Sequence, residues 1–120
     1  MPDMARAYQR GIDAEAAACR VLEQDGFVVL ARRLRTEAGE IDIVAATSDL
    51  LSIVEVKARQ SLADAALALG PRQQARLLAA AEIVLAEHPD WAREGMRFDL
   101  IVVDAAGTMR RICDAFRNEA

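Results

Sequence analysis

Gly39-Glu40-Ile41-Asp42-Ile43-Val44-Ala45-Ala46, then Thr47-Ser48-Asp49, then Leu50-Leu51-Ser52-Ile53-Val54-Glu55-Val56-Lys57-Ala58: these twenty residues decide the fold. Two apolar, β-branched runs flank a three-residue polar turn, the pattern of a β-hairpin. Side chains on a strand alternate between faces. On the second run Leu51, Ile53, Glu55 and Lys57 therefore share one face, and Val54 and Val56 take the other. The Cα atoms of Glu55 and Lys57 lie roughly 6.6 Å apart. On the first run Glu40, Asp42 and Val44 share one face, while Ile41, Ile43 and Ala45 share the other. A turn at Thr47-Ser48-Asp49 brings Asp42 alongside Glu55.

Lys57 is the only lysine among 120 residues, against 14 arginines. Where a plain positive charge suffices, this chain uses Arg. Lys differs as a compact, strongly hydrated point charge with a movable pKa. An acid on one strand, with an acid and a lysine on the next, is the arrangement of a metal-dependent phosphodiesterase site. The competing reading of Glu55 and Lys57 is an exposed strand face with a same-face ion pair, which contributes little.

The flanking sequence completes one α/β domain spanning residues 1–120. Residues 5–25 read as a helix with an apolar stripe of Tyr8, Ile12, Cys19 and Leu22. Periodicity assigns position 15 to the same buried stripe, yet Glu15 stands there. Gly26 supplies the stop. A strand is expected from Phe27 toward Arg35, before the turn Thr36–Gly39. Residues 60–70 read as a loop with room for a helical turn, ending at Gly70-Pro71. Arg72–Glu87 reads as a second helix, opened by Pro71 and buried along Leu77, Leu78, Ala81, Val84 and Leu85. Strands are expected at Arg97–Asp104 and Thr108–Cys113. The order is helix, three strands, helix, two strands. A meander of three antiparallel strands, then a crossover to a parallel fourth, gives a mixed sheet flanked by helices.

Composition sets outer bounds. The 53% hydrophobic content is inflated by 25 alanines, so the core must come from the Val, Ile and Leu clusters. No run approaches the roughly 18–20 apolar residues of a membrane span. Met1-Pro2-Asp3-Met4-Ala5-Arg6 lacks a signal peptide's hydrophobic segment. The chain reads as cytoplasmic and not bound to membrane. Cys19 and Cys113 read as small buried hydrophobes. A net charge of −4 excludes a general basic coat for nucleic acid, but leaves room for a local basic rim. Arg32, Arg33 and Arg35 cluster before the hairpin; Arg59, Arg72 and Arg76 follow it. Each also reads as a solvated arginine, and Arg35 equally as a phosphate contact or an exposed strand-end residue. His88 reads as a helix-end residue, and Asp99 as a structural hydrogen-bonding group.

If Glu15 projects onto the face of Asp42 and Glu55, three carboxylates converge. Uncompensated, they would repel and raise one another's pKa. A divalent cation resolves that: Mg²⁺ takes hard oxygen ligands and retains waters.

Gly39-Glu40-Ile41-Asp42-Ile43-Val44, Val54-Glu55-Val56-Lys57-Ala58-Arg59 and Arg97-Phe98-Asp99 together resemble the small bacterial UPF0102 (YraN-like) proteins. The resemblance covers nearly the whole chain, including Glu15 and Ala115-Phe116. That family is similar to the PD-(D/E)XK nuclease superfamily, which includes Holliday-junction resolvases and has an αβββαβ, restriction-endonuclease-like core. The resemblance implies metal binding by Asp42 and Glu55 with help from Glu15. It makes Lys57 the catalytic lysine and gives Gln73 an assisting role where relatives often carry Lys. It implies Mg²⁺ or Mn²⁺ as cofactor and nucleic acid as partner, DNA first and branched DNA included. Arg33, Arg35 and Arg59 would hold phosphates; the sequence is silent on oligomeric state, and the pairing of resolvase-like relatives makes a homodimer a possibility to check. Arg33 stands where relatives usually have Asn. The expected activity is endonuclease-like phosphodiester hydrolysis. The alternatives are a nucleic-acid-binding module with a vestigial site and a protein that recruits DNA-processing partners.

Overall fold

Helix α1, Met4–Gln24, ends because Gly26 adopts φ 90°. Phe27 N–H then donates to the Leu22 carbonyl at 3.0 Å and Gly26 N–H to that of Glu23 at 3.1 Å. These bonds satisfy carbonyls that the helix end leaves open. The computed structural model describes residues 4–117; the Tyr8 side chain, first in the expected stripe, lies outside what is described. After α1 come β1 (Val28–Thr36), β2 (Gly39–Ala46), β3 (Leu50–Ala58), α2 (Leu62–Leu67), α3 (Pro71–Glu87), a 3-10 turn (Pro89–Trp91), β4 (Gly95–Val103) and β5 (Met109–Phe116). The αβββαβ order holds. The differences are a short helix inside the expected 60–70 loop, N-capped by Ser61, and shifted ends of the last two strands.

The strands form one sheet in sequence order. All neighbours are antiparallel except β3 and β4, which run parallel. Antiparallel neighbours need only tight turns, while the parallel pair needs the helical crossover of α2 and α3. At the hairpin turn, Thr47 N–H donates to the Leu50 carbonyl, and Thr47 Oγ1 accepts from Leu50 N–H.

Helices cover both faces. Ala14, Ala18, Cys19 and Leu22 of α1 pack on Ile43, Ala45, Val54 and Ile101. Leu77, Ala80, Ala81 and Val84 of α3 pack on Val44, Leu51, Ile53 and Phe98. Ala65 of α2 covers Leu100 and Val102. Each large side chain buried this way contributes roughly 1.5–3 kcal/mol. Small alanines on α1 let the helix lie close to the sheet. Among the described residues no helix is long and apolar enough to cross a membrane. Two expectations need correction. Cys19 is buried, which pushes its thiol pKa up, but Cys113 is exposed, because β5 is an edge strand. Ile41 does not share a face with Ile43: it packs with the α3 layer, so alternation breaks at Asp42.

Asp99 has the structural role read from its position, although its partners are on strands. It is 2% exposed. Its carboxylate accepts from Ser52 Oγ at 2.6 Å, Arg97 Nε at 2.8 Å and Asp114 N–H at 2.9 Å. The last bond pins a bulge in β5, where Asp114 takes φ 56°. Removing one partner of a buried charged network costs about 3–5 kcal/mol, because the others lose their counter-charge. Asp99→Ala is expected to lower unfolding free energy by about that much; urea denaturation monitored by circular dichroism checks it, and a loss below about 1 kcal/mol would refute the role.

Candidate active site

The hairpin of β2 and β3 is a closed ladder at one end and a fork at the other. Backbone pairing runs from Ala46↔Leu51 to Ile43↔Val54. Beyond that point, the N–H of Val56 donates to Asp42 Oδ2 at 2.8 Å. A side chain thus takes a backbone donor that a strand would otherwise have to satisfy. The carboxylate is drawn between the parting strands, and Ile41 drops against α3.

Glu55 and Lys57 project from β3 toward α3, the same face as Leu51 and Ile53. Lys57 Nζ lies 3.4 Å from Glu55 Oε1. Gln73 Nε2, from the first turns of α3, donates to the same oxygen at 3.2 Å. Arg76 Nη2 lies 3.6 Å from it. The Glu55 side chain is only 5% exposed, yet among the described residues its Oε2 has no hydrogen-bond partner. A buried carboxylate oxygen without a partner is rare and costs free energy.

Burial is the main cause that pushes the Asp42 pKa up to about 7. The negative charge of Glu55 adds to it and that of Glu15 adds less, while the Val56 N–H and the Lys57 ammonium oppose it. Asp42, Glu55, Glu15 and Lys57 therefore lie within one another's fields. They do not form a complete cage: among the described residues no three acidic, imidazole or thiol side chains gather closely enough to hold a metal ion. Glu15, at the buried stripe position, accepts from Arg33 Nε at 2.8 Å. Its nearest described partner is this guanidinium.

Arg33 lies across from Asp42, between the pairs Arg32↔Ile43 and Leu34↔Ile41. Its φ is 51°, a left-handed conformation costing a non-glycine residue roughly 1–2 kcal/mol. Asn tolerates that conformation better, which gives a physical reason for the Asn that the resemblance expected there. Arg33 is thus engaged with Glu15, while Arg35 is 89% exposed and pairs loosely with Glu40 at 3.7 Å. Arg59 lines a cavity of about 630 Å³ with Arg10, Ala58, Gln60 and Met109, just past Lys57 along β3. His88 stacks on Trp91, ring centroids 3.8 Å apart, away from these groups.

Arg76 is the site residue that sequence reasoning did not single out. The signal is there: Arg76 follows Gln73 by three and adjoins the buried stripe of Leu77, Ala80, Ala81 and Val84. Residues three apart on a helix face the same way.

Comparison with known proteins finds relatives of this chain. A family model described as "Uncharacterised protein family UPF0102" matches residues 14–103, a span from just before Glu15 to the end of β4. A UPF0102 protein of Granulibacter bethesdensis is 60% identical over 93% of this chain and 71% of its own length. One from Azorhizobium caulinodans is 50% identical over 94% of this chain and 86% of its own. One from Rhodopseudomonas palustris is 46% identical over 92% and 85%.

The raised pKa of Asp42 has a measurable consequence. Its folded value near 7 exceeds the ordinary 3.8, so the folded state binds the proton more tightly. That contribution is complete below about pH 4 and is lost as pH rises through about 7, at about 1.4 kcal/mol per unit. Asp42→Asn is expected to gain stability relative to wild type between pH 4 and pH 7, on the order of a few kcal/mol. Urea midpoints across that range check it, and parallel curves for the two proteins would rule it out.

Proposed function

The chain belongs to the UPF0102 family, and we propose that this protein is a divalent-cation-dependent phosphodiesterase, an endonuclease-like enzyme of nucleic acid with DNA as its expected substrate. One observation carries the reading. A buried glutamate, Glu55, has Gln73, Lys57 and Arg76 at one oxygen and, among the described residues, no hydrogen-bond partner at the other, beside an aspartate whose pKa is pushed up to about 7. Two acids crowded in a low-dielectric site repel; a divalent cation between them would favour both ionised forms.

The donor set fits such an ion. Carboxylate oxygens are hard ligands that suit Mg²⁺ or Mn²⁺. Mg²⁺ commonly takes only one or two carboxylates, filling its remaining positions with water and substrate phosphate. Asp42 and Glu55 are such a pair, and Glu15 contributes field from the side of α1. Bound there, the cation would supply Lewis-acid polarisation of a phosphoryl oxygen and a water of lowered pKa.

The chain's own groups do the rest. Asp42 would release its proton to solvent when such an ion binds. Lys57 pairs with Glu55 by charge at 3.4 Å, and its ammonium carries three N–H donors suited to a water or a phosphate oxygen. Its 15% exposure keeps the ammonium poorly hydrated, which strengthens its field on developing negative charge. Arg35 and Arg59 are exposed positive groups near the fork and the cavity. They suit phosphate contacts, which position a strand without reading its bases.

The test is a cleavage assay on labelled single-stranded, duplex, flap and four-way-junction DNA with Mg²⁺ or Mn²⁺. Cutting is expected with either metal and not in EDTA. Lys57→Ala and Asp42→Asn are each expected to slow it at least about 100-fold while remaining folded by circular dichroism. Cutting that survives in both variants would reject the assignment. Salt-sensitive binding without turnover on any substrate would favour the nucleic-acid-binding alternative.

A further inference from the structure

Arg76 makes contacts on three elements with three nitrogens. Its Nη2 lies 3.6 Å from Glu55 Oε1. Its Nε donates to Gln73 Oε1 at 3.3 Å. Its Nη1 donates to the Glu40 carbonyl at 2.8 Å. The guanidinium so ties α3 to the start of β2 and to the acid on β3. It lies over Gly39, where a Cβ would overlap the Arg76 side chain. Gly39 also has φ 131°, which residues with a side chain rarely adopt. Position 39 is therefore bare for two reasons, its own backbone and the seat it gives to Arg76.

The donors around Glu55 are distributed unevenly. Gln73 donates to Oε1, and Lys57 and Arg76 make their nearest approach to Glu55 at the same oxygen, whereas the buried Oε2 accepts no hydrogen bond among the described residues. A carboxylate merely neutralised by its surroundings would share donors between both oxygens. We infer that Arg76 is a positioning residue which, through the hydrogen-bonded Gln73 and by its charge 3.6 Å away, holds Oε1 of Glu55 so that Oε2 is the oxygen presented to a divalent cation. It also supplies the second positive charge of the site, beside Lys57. The inference rests on the cation-dependent reading above and adds what orients its ligand.

The same geometry accounts for glutamine at position 73. Gln73 donates through Nε2 to Glu55 and accepts through Oε1 from Arg76. A lysine has three donors and no acceptor, so it could not relay Arg76 to Glu55. In this chain the positive side chain, Arg76, sits one turn further along α3, and the Gln73 amide passes its hold to the acid. Lysine at position 76 would keep the charge but not the planar fork that reaches three acceptors.

Mn²⁺ binding by isothermal titration calorimetry on the full chain tests this, with wild type, Arg76→Lys and Gln73→Leu. Groups that orient a metal ligand commonly change affinity by about 10–100-fold when removed. Arg76→Lys is expected to weaken Mn²⁺ binding by about that factor, although the charge is retained. Gln73→Leu, which leaves the Arg76 contact with Glu40 and the seat on Gly39 in place, is expected to weaken it in the same direction. Metal-free thermal unfolding of each variant reports whether it is folded. A merely structural role would lower the unfolding temperature and leave Mn²⁺ affinity per folded molecule unchanged; that result overturns the inference and leaves the proposed function standing. A wild-type chain that binds no Mn²⁺ would overturn both.

Discussion

One hydrogen bond, from the Val56 N–H to the Asp42 carboxylate, lets the rest of the site exist. A strand pair normally closes by exchanging backbone bonds, and an unpaired buried N–H would be costly. Here a carboxylate substitutes for the missing carbonyl, so β2 and β3 part without leaving that donor orphaned. The parting turns Ile41 into the α3 layer and opens room at the end of the hairpin. Glu55 and Lys57 stay on β3, held by the parallel pairing with β4 on its other side. The fork is therefore a stable feature of the sheet, anchored by the packed hairpin end at Ala45 and Ala46.

Two buried acids in this protein have opposite fates, and the contrast separates architecture from chemistry. Asp99 and Glu55 are similarly buried. Asp99 distributes its bonds over both oxygens, to Ser52, Arg97 and the Asp114 backbone. The result is a closed network that joins β3, β4 and the β5 bulge. Glu55 accepts from Gln73 on one oxygen and, among the described residues, from no group on the other. A fully satisfied network rigidifies, whereas an unsatisfied buried oxygen stores free energy that a ligand can release. Asp42 stores more in its raised pKa. The fork carries a local cost that the two packed layers on either face of the sheet offset.

Much of this was legible in the residues. The β-branched runs around Thr47-Ser48-Asp49 specify a hairpin, since only strands bury apolar side chains at period two. The Ala-rich segment ending at Gly26 and the Pro71-led segment specify helices by period and by caps. The lone lysine two positions after Glu55 marks the chemistry, and Glu15 in an apolar stripe marks a buried acid. Those signals are local: each depends on residues within one or two turns or strands.

The rest needed the tertiary structure, because it depends on groups far apart in sequence. Alternation could not say that Ile41 would abandon the face of Ile43, since the fork comes from a bond between residues 42 and 56. Periodicity placed Glu15 inside, but its engagement by Arg33 depends on a left-handed backbone at residue 33 of another element. No pattern in the hairpin could show that Arg76, 21 residues beyond Glu55, would close on its Oε1 over a bare Gly39. Sequence by itself determined which segments are strands and helices and which side chains carry charge, because those follow from short-range sterics and hydrophobic period. Only the folded chain decided which oxygen of which acid is satisfied, because that is settled by distances between elements that the chain brings together last.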